Sequence, residues 1–126
     1  MYKKFLGTVV HGLGKGKDLG FPTVNIELNN NDSNLEKGVY AVFVTVDNQV
    51  FKGMLYVGTR PTFDLQEVSI EIHILDFDQN IYDAQIDFQI LHKTRDEIKF
   101  SGTEQLIEQL HRDREIVYNY FQNLDD

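Results

Sequence analysis

The residues best suited to chemistry lie in a glycine-rich stretch near the N-terminus. Glycines and lysines alternate there, at Gly12, Gly14, Lys15, Gly16, Lys17 and Gly20. Glycines let backbone N–H groups approach a phosphate closely, because no Cβ blocks the approach. The lysines add positive charge. The stretch therefore predicts a site for nucleotide phosphates, and the alternative is a turn between two strands.

The glycine-rich stretch runs directly into Pro22, Thr23 and Asn25, which belong to the same predicted site. The Thr23 hydroxyl and the Asn25 carbonyl oxygen are hard ligands of the kind that Mg²⁺ prefers. If the segment is extended, both side chains project to one side, because residues two apart share a face of a strand. The alternative is that they satisfy backbone groups of a turn after the proline.

Two common phosphate-binding patterns do not fit the glycine spacing. The pattern G-x-x-x-x-G-K-[ST] fails because Asp18 follows Lys17 and His11 stands where the first glycine belongs. The dinucleotide pattern G-x-G-x-x-G fails from both Gly12 and Gly14. The segment is therefore neither of these two loops.

Short motifs along almost the whole chain resemble, in order, those of riboflavin kinases, including the kinase half of bacterial bifunctional FAD synthases. The opening signature over residues 7–25 is G-x-V-x-x-G-x-x-x-G-x-x-L-G-F-P-T-x-N. The later motifs are Gly38-Val39-Tyr40, Val57-Gly58-Thr59-Arg60-Pro61-Thr62-Phe63, Glu71-Ile72-His73, Asp76-Phe77, Ile81-Tyr82 and Arg95-Asp96-Glu97-Ile98-Lys99-Phe100.

This resemblance implies an ATP:riboflavin 5′-phosphotransferase, which converts riboflavin and ATP to FMN and ADP with Mg²⁺. It implies Glu71 as the base that takes the ribityl hydroxyl proton. His73 is a second candidate for the base, although a structural role is favoured for it. It implies Thr23 and Asn25 as metal and phosphate ligands. The residues implied on the flavin side are Thr62, Phe63, Arg95, Glu97 and Phe100.

Three residues depart from the pattern of the family that the chain resembles. Tyr56 stands where Asn is frequent, Asp83 where Gly is usual, and Lys17 where Arg is common. Asp tolerates the left-handed conformation better than most residues, so the turn at Asp83 is expected to survive. Lys keeps the charge but loses bidentate phosphate geometry.

Composition narrows the class of protein. The chain has 126 residues, a net charge of −8 and no cysteine. We expect a single domain over residues 1–126, without a disulfide or a thiolate site. The acidic balance argues against a nucleic-acid partner. No stretch has the length of a membrane span or the apolar run of a signal peptide, which predicts a cytoplasmic protein, expected to be a monomer.

Alternating apolar residues predict a mainly β fold. Strands are expected over residues 3–10, 38–46, 49–57, 68–75 and 81–91, with a turn at 47–48 and a loop over 58–67. In the strand over 68–75, Ile70 and Ile72 face one way, and Glu71 and His73 face the other. We expect a six-stranded antiparallel, Greek-key-like closed barrel over about residues 1–100, since closure removes sheet edges.

The C-terminal segment has a different pattern. Apolar residues recur at helical spacing, namely Leu106, Ile107, Leu110, Val117, Tyr120, Phe121 and Leu124. We expect one amphipathic helix over about residues 102–123, packed against the barrel.

Two functions other than that of a separate riboflavin kinase stay open: the kinase portion of a longer bifunctional FAD synthase, and a non-catalytic flavin or nucleotide sensor on the same fold.

Overall fold

The computed structural model describes residues 4–10, 23–29, 35–61, 66–77 and 79–125, which form six strands and one helix. The strands are β1 (Lys4–Val10), β2 (Val24–Leu28), β3 (Gly38–Val46), β4 (Gln49–Pro61), β5 (Gln66–Ile74) and β6 (Gln85–Asp96), and the helix is α1 (Thr103–Asp125). All pairings between strands are antiparallel, and the strand order β1-β2-β5-β4-β3-β6 closes into a barrel. The predicted fold, a closed six-stranded barrel with a C-terminal helix, is confirmed.

The strand order brings together elements that are far apart in the chain. Strands β3, β4 and β5 follow one another as a meander, whereas β2 pairs with β5 and β3 pairs with β6. These non-consecutive pairs are typical of Greek-key barrels. The pairing of β2 with β5 decides which polar side chains meet.

The hairpin between β3 and β4 turns as predicted. Asp47 and Asn48 have φ angles of 49° and 66°. Two consecutive residues with positive φ are typical of the type I′ turn, whose twist matches that of the flanking strands. Asp and Asn adopt this conformation at less cost than most residues.

The predicted loop over residues 58–67 is wrong for all of its described residues, 58–61 and 66–67, which lie in strands. Strand β4 continues to Pro61 and β5 begins at Gln66, and the register pairs Gly58 with Ser69 and Thr59 with Val68. Gly and Pro usually mark turns or loops. Here pairing with the neighbouring strand overrides that local signal.

The barrel interior is filled by apolar side chains from all the strands. On β5, Ile70, Ile72 and Ile74 are buried in this core, and Phe5 of β1 stacks on Phe88 of β6 with ring centroids 5.3 Å apart. Because side chains alternate along a strand, the residues between them point to the outer face. Ser69, Glu71 and His73 of β5 therefore face away from this core.

Helix α1 covers part of that outer face. Its Leu110, Val117 and Phe121 form a second buried cluster with Ala41 of β3 and Met54 of β4. Strand β3 is therefore buried on both faces. Among the described residues, no helix is long and apolar enough to cross a membrane.

Candidate active site

Many of the predicted site residues fall outside the part of the chain that the structure describes. They are Gly12, Gly14, Lys15, Gly16, Lys17, Pro22, Thr62 and Phe63. The predicted phosphate loop and the Pro-Thr-Phe segment thus stay predictions. The structure does place the predicted metal ligands, the predicted base and three of the predicted flavin-side residues.

Thr23, Asn25 and Glu71 lie together on the outer face of the barrel. Asn25 of β2 is directly opposite Glu71 of β5 in the register, and the Thr23 hydroxyl donates a 3.1 Å hydrogen bond to Glu71 Oε1. All three residues are partly buried. The predicted metal ligands and the predicted base are therefore neighbours in space.

The side-chain oxygen atoms of Thr23 and Asn25 fit a hard divalent cation. They supply a hydroxyl and an amide carbonyl, which are donors that Mg²⁺ accepts. Within the described ranges, no group of three or more His, Asp or Glu could hold a metal ion. Mg²⁺ commonly uses one or two protein ligands and completes its shell with phosphates and water. The site suits a cation that is shared with a nucleotide.

Strand β5 lies between β2 and β4. Glu71 therefore has Asn25 of β2 opposite it on one side and Tyr56 of β4 opposite it on the other. The Tyr56 hydroxyl donates to Met54 Sδ at 3.9 Å, and a thioether is a weak acceptor. Burial raises the pKa of Tyr56 well above its ordinary value, with the negative charges of Asp113 and Glu71 adding to the shift and Arg95 opposing it. The phenol therefore stays neutral in the working range of an enzyme.

A cavity of about 190 Å³ opens beside Glu71 and Tyr56. Arg95, Glu97 and Phe100 also line it, so the structure brings these predicted flavin-side residues to the predicted base. Its volume is below the roughly 300–1,000 Å³ usual for ligand pockets, so it has room for only part of a ligand of that size. The rings of Tyr56 and Phe100 suit a planar aromatic group.

Arg95 is held by an acidic residue that sequence reasoning missed. Its Nε and Nη2 atoms each lie 2.7 Å from an oxygen of Asp113 on α1, and Gln109 Nε2 donates to Asp113 Oδ1 at 2.9 Å. Asp113 is 0% exposed. The available signal was its position within the apolar stripe of the helix, three residues after Leu110 and four before Val117.

Glu97 fastens the segment that follows β6 to the end of β4. Its Oε2 accepts a 3.0 Å hydrogen bond from the Thr59 backbone N–H. A Cβ on Gly58 would lie 3.1 Å from the same oxygen, so a larger residue there would crowd the carboxylate. The observed contact of Glu97 is therefore with protein backbone, and its predicted flavin contact stays a prediction.

His73, the second candidate base, lies opposite Met54 of β4 and is buried. It shares the outer face of β5 with Glu71, since the two are separated by one inward residue. Burial opposite an apolar side chain fits a structural role for His73.

The fold and site together define a closed antiparallel barrel with a pocket beside Glu71, which is lined in part by the segment between β6 and α1. The family model of riboflavin kinase matches residues 2–121, so the chain belongs to the riboflavin kinase family. The predicted family is confirmed.

Two relatives from Bacillus subtilis (strain 168) show how much of a longer protein the chain matches. It is 39% identical over 121 residues to a bifunctional riboflavin kinase/FMN adenylyltransferase, an alignment that covers 94% of this chain and 38% of that protein. It is 38% identical over 117 residues to an RNA-binding riboflavin kinase, covering 92% of this chain and 50% of the relative. The chain thus spans half or less of the length of these relatives.

Solved structures share the fold. A Streptococcus pneumoniae protein described as a macrolide-efflux protein superposes with a TM-score of 0.85 at 37% identity, over 92% of this chain and 38% of that one. Riboflavin kinase from Trypanosoma brucei superposes with a TM-score of 0.67 at 22% identity, over 94% of this chain and 79% of that one. The second likeness concerns the fold alone.

Proposed function

We propose that this chain transfers the γ-phosphate of ATP to the ribityl 5′-hydroxyl of riboflavin, giving FMN and ADP. The observation that carries the proposal is the meeting of Thr23, Asn25 and Glu71 beside a pocket with aromatic walls. Membership of the riboflavin kinase family supports the same reaction. Catalysis of this kind is mostly positioning and charge stabilisation, for which a few fixed oxygen and N–H groups suffice.

In the proposed step, the ribityl hydroxyl oxygen forms a bond to the γ-phosphorus while the bond from that phosphorus to the bridging oxygen breaks. ADP leaves with the electron pair of the broken bond, and the carboxylate of Glu71 takes the hydroxyl proton. Thr23 orients this carboxylate through its hydrogen bond to Oε1. The flavin ring would lie toward Phe100 and Tyr56, beside Arg95 and Glu97. Thr62 and Phe63 stay predicted flavin contacts from the family resemblance.

The family reaction uses ATP and a divalent metal, and we propose Mg²⁺ as that metal. Mg²⁺ would neutralise charge on the phosphates when it is bound. Thr23 and Asn25 would hold it, and the donated hydroxyl proton of Thr23 leaves that oxygen's lone pairs available to a cation. The proposed phosphate contacts come from the backbone and lysines of residues 12–17 and from Pro22.

The proposal covers the kinase reaction and not the second activity of longer relatives. FMN adenylyl transfer belongs to the description of the Bacillus subtilis protein, of which this chain matches 38%. Cytoplasmic location and a monomeric state stay predictions.

The test is a turnover assay with riboflavin and MgATP, with flavin products separated by chromatography. FMN from the wild type and a loss of at least ~10²-fold in Glu71→Ala would support both the reaction and the base. Glu27→Ala is the matched control, because it removes an exposed carboxylate from the neighbouring β2. Flavin binding without formation of FMN would indicate the non-catalytic sensor instead. Equal rates of FMN formation in the wild type and Glu71→Ala would exclude Glu71 as the base.

A further inference from the structure

A buried ion pair connects helix α1 to the wall of the proposed flavin pocket. Asp113 offers both carboxylate oxygens to the guanidinium of Arg95, and Arg95 lines the cavity beside Glu71. On the basis of the proposed function, we propose that Asp113 is a positioning residue, which acts through Arg95 to set the affinity for the flavin substrate.

Three hydrogen bonds fix the buried carboxylate of Asp113. Asp113 Oδ1 accepts from Arg95 Nε and Gln109 Nε2, and Oδ2 accepts from Arg95 Nη2. A planar guanidinium and a carboxylate joined by two parallel bonds are fixed in direction as well as in distance. Because the carboxylate is fully buried, losing this partner would leave an uncompensated charge. Arg95 is therefore held rigidly.

Rigid placement of Arg95 also fixes the chain that follows it. Arg95 Nη1 donates to the backbone oxygen of Asp96 at 3.0 Å, which ties the guanidinium to the end of β6. Glu97, two residues after Arg95, accepts a hydrogen bond from the Thr59 backbone N–H, and Phe100 also lines the cavity. The helix thus holds one wall of the pocket by a charged contact in addition to its apolar packing.

Stability alone is a weak explanation for this pair. Replacing a buried ion pair by apolar residues of similar volume is often neutral or stabilising, whereas such pairs can specify one geometry. The pair adjoins the pocket, and α1 already packs on the barrel through Leu110, Val117 and Phe121. These features favour a role in shaping the pocket.

Loss of the contact between Asp113 and Arg95 should change the affinity for riboflavin and leave nucleotide binding unchanged. Thr23 and Asn25 are placed by the pairing of β2 with β5 and by Glu71, and their described contacts do not involve Asp113. The positioning role therefore predicts a change in riboflavin affinity with an unchanged KM for MgATP. A general loss of structure would change both.

The experiment measures riboflavin Kd by fluorescence quenching, together with both KM values, in Asp113→Asn, Arg95→Met and the double variant. Asp113→Asn should weaken riboflavin binding by about tenfold, the scale of a charge-assisted hydrogen bond. In the Arg95→Met background the same change should add less than about twofold, because the two act as one unit. Asp96→Asn, an exposed carboxylate one residue from Arg95, is the control and should stay within about twofold.

Additive effects of the two changes, an equal rise of both KM values, or an unchanged riboflavin Kd in Asp113→Asn would each overturn the positioning role. If Asp113→Asn does not fold, Arg95→Lys replaces it, since Lys keeps the charge but loses the bidentate fork. Weaker flavin binding with an unchanged KM for MgATP would then support the proposal, and an unchanged Kd would overturn it.

Failure of the proposed function gives a different result. Wild-type protein that binds riboflavin without making FMN would exclude the kinase, and the Kd comparison would still decide the role of Asp113. Wild-type protein that does not bind riboflavin would overturn both.

Discussion

Thr23 and Glu71 are 48 positions apart in the chain, and the Thr23 hydroxyl donates a 3.1 Å hydrogen bond to the Glu71 carboxylate. The bond exists because β2 pairs with β5, two strands that are not consecutive. It constrains the rotamer of Glu71 on the outer face of the barrel. It also keeps the threonine lone pairs available to a further partner, so one contact serves both the proposed base and the proposed metal site.

Removing the Thr23 hydroxyl should slow phosphoryl transfer. Thr23→Val keeps the shape but deletes both the bond to Glu71 and a proposed metal ligand, and we expect kcat to fall by about 10–100-fold. Thr23→Ser keeps the hydroxyl and is the matched control. Steady-state kinetics with riboflavin and MgATP measures the change. Equal activity of the Val and Ser variants would contradict the role of the hydroxyl.

Asn25 should set the concentration of metal that the reaction needs. Chelation of divalent ions should abolish turnover, and Asn25→Ala should raise the Mg²⁺ concentration for half-maximal rate by about tenfold, through loss of one oxygen ligand. The assay is a Mg²⁺ titration at fixed ATP. Asn29→Ala, at an exposed residue just after β2, is the control. Overlapping titration curves for Asn25→Ala and the wild type would remove Asn25 from the metal site.

The strand pattern predicted part of the site, and pairing between distant strands supplied the rest. The alternation of Ile70 and Ile72 with Glu71 is readable from the chain, because neighbouring side chains of a strand face opposite ways. That Asn25 pairs with Glu71 depends on which strands are neighbours in the closed barrel, and no local pattern encodes that. From the sequence, only the resemblance of this chain to riboflavin kinases placed Thr23, Asn25 and Glu71 in one site.

The helix pattern had a similar limit. Apolar spacing predicted the buried stripe of α1 but not that Asp113 lies inside it, because periodicity describes a face and not the partner that a charge finds there. The partner, Arg95, is 18 positions away on β6. The loop predicted over residues 58–67 failed for the same reason, since Gly58 and Pro61 obey pairing with β5.

Asp83 should tolerate glycine better than alanine. Its φ angle is 67°, and its N–H donates to the Val9 backbone oxygen at 2.8 Å, so the left-handed turn fixes the approach to β1. Asp83→Ala should lower the free energy of unfolding by about 1 kcal/mol, because a Cβ without a helpful polar group is strained there. Asp83→Gly should be neutral or slightly stabilising. Urea denaturation compares them, with Gln79→Ala as the surface control; an alanine variant as stable as the glycine variant would contradict the strain.

The contact between Lys93 and Asp96 predicts how stability depends on pH. Lys93 Nζ lies 2.7 Å from Asp96 Oδ1, and this hydrogen bond holds the pKa of Asp96 below its ordinary value of 3.8. A carboxyl whose pKa is lower in the folded state stabilises the fold above the unfolded value, and this contribution is lost as pH falls through the folded value. Both side chains face solvent, so the effect should be small and should weaken in salt. Asp96→Asn should therefore be less stable than the wild type at pH 7, and the difference should shrink as pH falls below 3.8.

Denaturant unfolding at several pH values measures this difference in stability, with Asp87→Asn on the same strand for comparison. A difference between Asp96→Asn and the wild type that persists unchanged in acid would exclude the ion pair as its source.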